Sequence, residues 1–346
     1  MKTMSKHPTQ STVAAALCPR PFEWAEIHPD GGVFLCCPSW LKRTIGNLLA
    51  QPIDEIWNSP QALEIRKSIL NRSYHNCSQK RCPRLLDPAS KAVEAASSQA
   101  EKAISQGQVS LPYLPRRLNL CFDYSCNLAC PSCRPHPQIS NGTNLAQAEQ
   151  LAERIRQQLL PTAEQLTLSG YGDPFASPVY FKLLTQITPH DAPQLKELRL
   201  HSNGLLFDEN HWARLPSLQP LLKSVEISVD AGRAATYALN RGGDFARLCR
   251  NLEFVASLGA PLRLSMVVQQ NNFREINDLH QIALGIGAEL YLSRLINWGT
   301  FSRQAYKLRD VAAADHPQHA ELLAILRAIK AEPGVDLGNL TQLLRS

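Results

Sequence analysis

From Leu118 onward the chain alternates apolar and polar side chains in six short stretches, 118–123, 165–169, 195–201, 223–230, 262–269 and 288–293. A period of two marks a strand, and each stretch is followed by enough chain for a helix. Six strand–helix units in succession predict a parallel sheet. Leu118, Leu120 and Phe122 alternate with Asn119, Cys121 and Asp123, and Val225, Ile227 and Val229 alternate with Glu226, Ser228 and Asp230. Thr167 and Ser169, Arg199 and His201, Arg263, Ser265 and Gln269, and Glu289, Tyr291 and Ser293 repeat the polar parity. A parallel sheet covered by helices on both faces reads instead as continuous apolar runs. One polar face therefore predicts a closed or nearly closed barrel with helices outside and a functional cavity inside; an open sheet with one wet face is the alternative. The polar set suits a hydrogen-bonding substrate and not a lipid.

Before the strands the pattern is shorter and less regular. Glu23–Ile27 and Val33–Cys36 read as strands flanking the turn His28-Pro-Asp-Gly-Gly32. Ser59 followed by Pro60 predicts a helix through about Leu70, since Ser caps free amides and Pro fits the first turn. After Trp298 the chain runs through Arg303, Lys307 and Arg309 into a helix expected from His316 to about Ala331. The expected divisions are a flexible arm over 1–15, a Cys-rich domain over 16–87 and a polar linker over 88–115. A barrel over 116–300 and a C-terminal helical extension over 301–346 complete the chain.

Composition adds little until the cysteines are placed. With 346 residues, 44% hydrophobic and 19% charged, the chain can bury a core, and a net charge of +6 without a dense basic run predicts no specific nucleic-acid partner. Nine of the ten cysteines precede residue 134. No run approaches the roughly 18 apolar residues of a membrane span, and Val13–Leu17 is too short for a signal core. The expectation is a cytoplasmic protein, without membrane partners, whose cysteines bind metal and do not form disulfides. Cys126, Cys130 and Cys133 form C-x3-C-x2-C just after the first barrel strand. Three thiolates leave a cluster iron open; a zinc loop completed by His136 is the alternative. Cys121, on the polar parity, is a candidate lumen thiol, and Cys249 is expected to pack in a helix over Phe245–Leu258.

With these residues in place the chain resembles the radical S-adenosylmethionine (SAM) superfamily. The resemblance rests on Cys126, Cys130 and Cys133 after the first strand and on Ser169-Gly-Tyr-Gly-Asp-Pro174 after the second. It continues in Ser202-Asn-Gly204 after the third strand and Ser228-Val-Asp230 ending the fourth. It implies a partial (β/α)6 TIM-like barrel with a [4Fe-4S] cluster whose open iron chelates SAM. Reduction by a donor such as a flavodoxin or ferredoxin would generate a 5'-deoxyadenosyl radical that abstracts hydrogen from substrate. Tyr171, Gly172, Asp173 and Pro174 then correspond to the segment that receives the methionine ammonium, with Asp173 as an acceptor. Asn203, Ser228 and Asp230 would contact ribose or methionine, Arg241 the carboxylate, and Gln269 the adenine side, with Asn271 near it. The residue before the third cysteine is Ser132 where an aromatic side chain is usual, which turns attention to Tyr124 for adenine.

The amino-terminal cysteines resemble the SPASM and twitch auxiliary-cluster domains, through Cys18, Gly31 and Cys36, then Ile45-Gly-Asn47, Ile53-Asp-Glu-Ile-Trp-Asn58, Cys77 and Cys82. Four thiols, Cys18, Cys36, Cys77 and Cys82, suffice for one auxiliary [4Fe-4S] cluster, with Cys37 the ambiguous neighbour of Cys36 and a zinc knuckle the alternative. The domain order departs from the usual one, in which the auxiliary domain follows the barrel. The resulting expectation is an enzyme that oxidises or cross-links a peptide or small polar substrate, the auxiliary cluster assisting electron transfer. A redox-neutral epimerase or dehydratase of a carbohydrate-type substrate, with Cys121 donating hydrogen, is the second expectation. A non-enzymatic zinc-binding interaction protein is the third.

Overall fold

The computed structural model describes residues 17–86 and 94–345. The arm expected over 1–15 and the first part of the expected linker lie outside the described residues. The strands are β1 Trp24–Ile27, β2 Gly32–Phe34, β3 Gly46–Asn47, β4 Arg117–Leu120, β5 Gln165–Leu168, β6 Glu197–Ser202, β7 Leu222–Ser228, β8 Leu262–Val268, β9 Glu289–Arg294 and β10 Val335–Asp336. They form one ten-stranded sheet in the order β10-β9-β8-β7-β6-β5-β4-β1-β2-β3. From β4 to β9 each strand pairs in parallel with the next. Winding in a single direction sends every right-handed crossover to the same side of the sheet. Accordingly Leu151, Ile155, Leu183, Leu248, Leu252 and Leu279 from the crossover helices share one core with Leu118, Leu166, Leu200, Ile227, Leu264 and Leu290 from the strands. The polar parity is left on the other face, as the alternation requires.

The structure extends the six expected units by two parallel strands. β10 adds to the outer side of β9, so the expected helical extension contributes a strand as well as the helices Arg303–Arg309 and His319–Ile329. At the opposite side β1, from the Cys-rich segment, pairs in parallel with β4 through Trp24↔Arg117, Ala25↔Leu118, Glu26↔Asn119 and Ile27↔Leu120. The Cys-rich segment is thus built onto the sheet. Ala25 and Ile27 belong to the common apolar core. The first barrel strand is also shorter than expected, ending at Leu120. Asp123 leaves the ladder and is buried beneath the following loop, so it does not line the polar face.

Arg66 fastens the Cys-rich segment internally. It lies on the helix Pro60–Leu70, whose cap Ser59 accepts from the Ala62 amide, and it is fully buried. Its Nε donates to the Pro21 carbonyl at 2.8 Å, and its Nη1 donates to Asn58 Oδ1 at 3.2 Å and the Val109 carbonyl at 3.0 Å. The guanidinium sits 4.5 Å over the Trp57 ring. Truncation to alanine removes the donor to the Pro21 and Val109 carbonyls and empties the space over Trp57, while Asn58 Oδ1 keeps the Leu111 amide. Arg66→Ala should therefore lower stability by about 3 kcal/mol, seen as an earlier urea transition in tryptophan fluorescence, and Arg66→Lys should recover only part of it.

Candidate functional site

The expected site residues gather at the C-terminal ends of the parallel strands. The loop after β4 is closed at its base by two backbone bonds, Cys126 N to the Gln138 carbonyl at 2.7 Å and Gln138 N to the Cys126 carbonyl at 3.2 Å. Inside it the amides of Cys133 and Arg134 both turn back on the Cys130 carbonyl, at 2.8 and 2.9 Å. The short spacing of the three cysteines therefore becomes one tight turn within a closed loop. Asp123 supports it from below, accepting from Ser140 Oγ and Ser177 Oγ, each at 2.5 Å. Arg134 donates to the carbonyls of Tyr124 and Tyr171, and its Nη2 stands 3.6 Å from Cys133 Sγ.

The loop after β5 is stitched to this one. A Cβ at Gly172 would stand 2.6 Å from the Asp123 carbonyl oxygen and 2.8 Å from that of Ser125, so the close approach of the two backbones requires glycine. The Asp173 amide donates to the Ser125 carbonyl at 2.9 Å. Its carboxylate accepts from the amides of Phe175 (3.0 Å), Ala176 (3.1 Å) and Asn203 (2.8 Å) and from Ser202 Oγ (2.8 Å). Four internal donors occupy the oxygens expected to receive an ammonium, so Asp173 instead joins the loops after β5 and β6. Pro174 is buried beside it. Asn203 in turn donates to Asn127 Oδ1 at 2.8 Å and lies 3.6 Å from Cys126 Sγ. Cysteine loop, Tyr171–Pro174 and Asn203 thus form one hydrogen-bonded assembly.

Arg241 and Asp230 complete it from β7. Asp230 has a left-handed backbone, φ 58°, held by Asn240 Nδ2 and Asn272 Nδ2 on its carbonyl at 2.9 and 3.0 Å. Its carboxylate accepts from the Val267 amide at 2.7 Å and from Arg241 Nη1 at 3.0 Å. Burial opposes the charge on Arg241, but Cys130 and Asp230 outweigh it and hold the guanidinium pKa above its ordinary value. Arg241 Nε is buried without a hydrogen-bond partner. A donor in that state fits a carboxylate supplied by a ligand. Burial raises the Cys126 and Cys130 thiols, Asp173 adding to it at Cys126 and Arg241 opposing it at Cys130.

Ser228 stays on the polar face, 3.4 Å from Ser265 Oγ. Gln269 is buried just beyond β8, its amide donating to Asn272 Oδ1 at 2.7 Å, while Asn271 Nδ2 donates to Asn240 Oδ1 at 2.7 Å. Tyr124 packs against Tyr171 with centroids 5.1 Å apart. Cys121 faces the polar side, 3.3 Å from Asn119 Nδ2 and 3.7 Å from Ser169 Oγ. Gly170, at φ 94°, leaves room for it, since a Cβ there would meet Cys121 Sγ at 2.7 Å. Burial, reinforced by Glu26, pushes the Cys121 thiol well above its ordinary value. It is therefore held as S–H. Cys249 lies half-buried in the helix Phe245–Ser257, outside this assembly.

In the amino-terminal segment Cys18, Cys36, Cys77 and Cys82 line a single cavity together with Trp40, Tyr74 and Arg84. Cys37 does not line it and feels Glu26 of the polar face instead. Burial raises the Cys18 and Cys36 thiols and pushes Cys77 up to about 12. Loading a metal centre there must displace protons. Among the described residues no three His, Cys, Asp or Glu side chains are drawn together around a single-ion site; the fit is of four thiols around a cavity. Two residues escaped the sequence reading, Glu26 and His28. Their signal was available, because Glu26 and His28 alternate with Ala25 and Ile27 as in the barrel strands.

A family model described as the radical SAM superfamily matches residues 122–283, and one described as an iron-sulfur cluster-binding domain, SPASM, matches residues 18–83. The chain is 28% identical over 208 residues to mycofactocin maturase MftC of Mycobacterium ulcerans (strain Agy99), covering 58% of this chain and 51% of that protein. It is 30% identical over 213 residues to GTP 3',8-cyclase of Synechococcus sp. (strain CC9902), covering 57% and 59%. The chain thus spans about half the length of the mycofactocin maturase it matches. The crystal structure of Streptococcus suis SuiB bound to S-adenosylmethionine aligns over 83% of this chain and 63% of that one, with a TM-score of 0.46 and 14% identity. Among the described residues no helix is long and apolar enough to cross a membrane. The radical SAM domain carries with it a [4Fe-4S] cluster and SAM, and the SPASM domain an auxiliary iron–sulfur site. The chain thus carries a radical SAM domain over residues 122–283 and, ahead of it, a SPASM domain over residues 18–83.

Proposed function

We propose that the protein is a maturase-type radical SAM oxidoreductase that removes hydrogen from a peptide or small polar substrate held on the polar face of the sheet. The auxiliary cluster assists electron transfer in an oxidation or cross-link. When bound, the first cluster and SAM supply the hydrogen-abstracting radical. The chain's residues do the rest. Cys126, Cys130 and Cys133 hold three irons and leave the fourth for SAM. Arg241 pairs the SAM carboxylate through its unpartnered Nε, and the backbone of Tyr171, Gly172, Asp173 and Pro174 borders the amino group. Asn203, Ser228 and Asp230 line the ribose and methionine side, Gln269 the adenine side. Cys18, Cys36, Cys77 and Cys82 hold the auxiliary cluster. The observation that carries this reading is the assembly of the cysteine loop, Asp173, Asn203 and Arg241 at one end of the sheet. Similarity to a mycofactocin maturase supports the peptide-directed form. Reducing equivalents would come from a flavodoxin- or ferredoxin-type donor in a cytoplasmic setting.

A redox-neutral epimerisation or dehydration is the second reading, favoured by the Cys121 thiol held as S–H on the polar face. Similarity to GTP 3',8-cyclase also supports a small polar substrate. Deuterium from solvent entering otherwise unchanged substrate, and lost in Cys121→Ala, would select it.

Anaerobic reconstitution should give about eight irons per chain, and dithionite with SAM should release 5'-deoxyadenosine. The Cys126→Ala/Cys130→Ala/Cys133→Ala variant should keep about four irons and release none. Stoichiometric zinc in place of iron would refute the assignment. Cys36→Ser should lose the auxiliary irons while Cys37→Ser retains them. Arg241→Gln should keep its iron yet weaken SAM binding at least about tenfold in equilibrium dialysis, the equivalent of roughly 1.4 kcal/mol.

A further inference from the structure

Among the described residues, the polar face beside Cys121 carries a carboxylate, Glu26, that has no lysine or arginine partner. Glu26 is delivered there by β1, in register with Asn119 of β4. It is only 5% exposed. Its Oε2 accepts from Asn119 Nδ2 at 3.1 Å, and its Oε1 lies 2.8 Å from His28 Nε2. Among the described residues its one ionisable hydrogen-bond partner is that imidazole. Other acids near the sheet ends have arginines: Glu23 has Arg117, Glu94 and Glu197 have Arg199, and Asp230 has Arg241. Arg263, elsewhere on the polar face, is paired to Glu289. Beside it on the same face stand the uncharged Asn119 and Ser169, Ser169 Oγ donating to Asn119 Oδ1 at 2.8 Å and Asn119 reaching Cys121. The ionisable groups acting on the Cys121 thiol, Glu26 and Cys37, are both acidic. Toward the outside, the His28 ring meets Tyr171 edge-on at 5.6 Å, and Tyr171 meets the partly exposed Tyr124. A buried carboxylate with one contact per oxygen retains capacity for a further donor, and a cation compensates its desolvation best.

We propose that Glu26, positioned by His28 and Asn119, is a substrate anchor of the polar face, and that the group it receives is a cationic nitrogen, an ammonium or guanidinium. This rests on the reading that substrate lies on that face. It gives the SPASM domain a second task, since one of its strands reads the substrate while its cysteines hold a cluster.

Charge-selective labelling of Cys121 tests it without knowledge of the substrate. Cluster-loaded protein with Cys37→Ser and Cys249→Ser leaves Cys121 as the unligated thiol. It is treated with 2-aminoethyl, methyl and 2-sulfonatoethyl methanethiosulfonate, which are cationic, neutral and anionic. The cationic-to-anionic rate ratio should exceed that of free 2-mercaptoethanol by about tenfold or more. In Glu26→Gln the excess should vanish; because both reagents draw on the same thiolate, the ratio is insensitive to any change in its population. An unaltered ratio in that variant, or a wild-type ratio equal to that of the free thiol, would overturn the anchor while leaving the radical SAM reading intact. Failure of even the neutral reagent to reach Cys121 would overturn it too, by closing the face to ligands. Should Glu26→Gln not fold, the wild-type ratio alone decides.

Discussion

The parallel pairing of β1 with β4 is the contact on which the arrangement depends. Without it, β4 would be the open edge of a sheet wound in one direction, with a row of unpaired backbone groups. With it, the Cys-rich segment becomes the wall of the polar face and the two cysteine-bearing regions are fixed in one body. Four register pairs carry this, and Ala25 and Ile27 bury their side chains in the same core as Leu118 and Leu120. Cys36 and Cys37 show the consequence at the scale of adjacent residues. The first lines the auxiliary cavity and the second feels Glu26 on the polar face.

At the other end of the strands the order comes from buried carboxylates. Asp123, Asp173 and Asp230 each follow the end of a strand, and each uses both oxygens as acceptors, with at least one of them holding a neighbouring segment. Loops alone are mobile; loops tied by satisfied buried acids are not, because breaking one bond strands a charge. The three carboxylates thus make a rigid seat for the cysteine turn. Among the groups they leave buried without a partner is Arg241 Nε, which is where a ligand's own acceptor would be taken up.

Much of this was legible in the alternation of side chains. The six parallel strands and the single polar face follow from parity, because a strand cannot alter which side a residue faces without slipping its register; Cys121 keeps that parity one residue beyond β4, where its amide still donates to the Ile27 carbonyl. The three-cysteine motif was legible from spacing, and the grouping of Cys18, Cys36, Cys77 and Cys82 from the resemblance to SPASM and twitch domains. The fusion of β1 to β4 was not, since pairing between segments some ninety residues apart leaves no local mark. The inward task of Asp173 was hidden for a related reason: its partners Ser202 and Asn203 stand at the end of the next strand and the start of the loop after it. Asp123 was misplaced because a strand's last residues obey its parity only while the ladder lasts, and this one ends at Leu120.

The central claim is that one chain holds two distinct cluster sites, only one of which is open to SAM. Electron paramagnetic resonance of the anaerobically reconstituted, reduced protein tests it most directly. Two reduced-cluster signals should be present; adding SAM should shift the g values of one and leave the other unchanged, and Cys36→Ser should remove the unchanged one. A single signal, or two that SAM leaves alike, would contradict the claim.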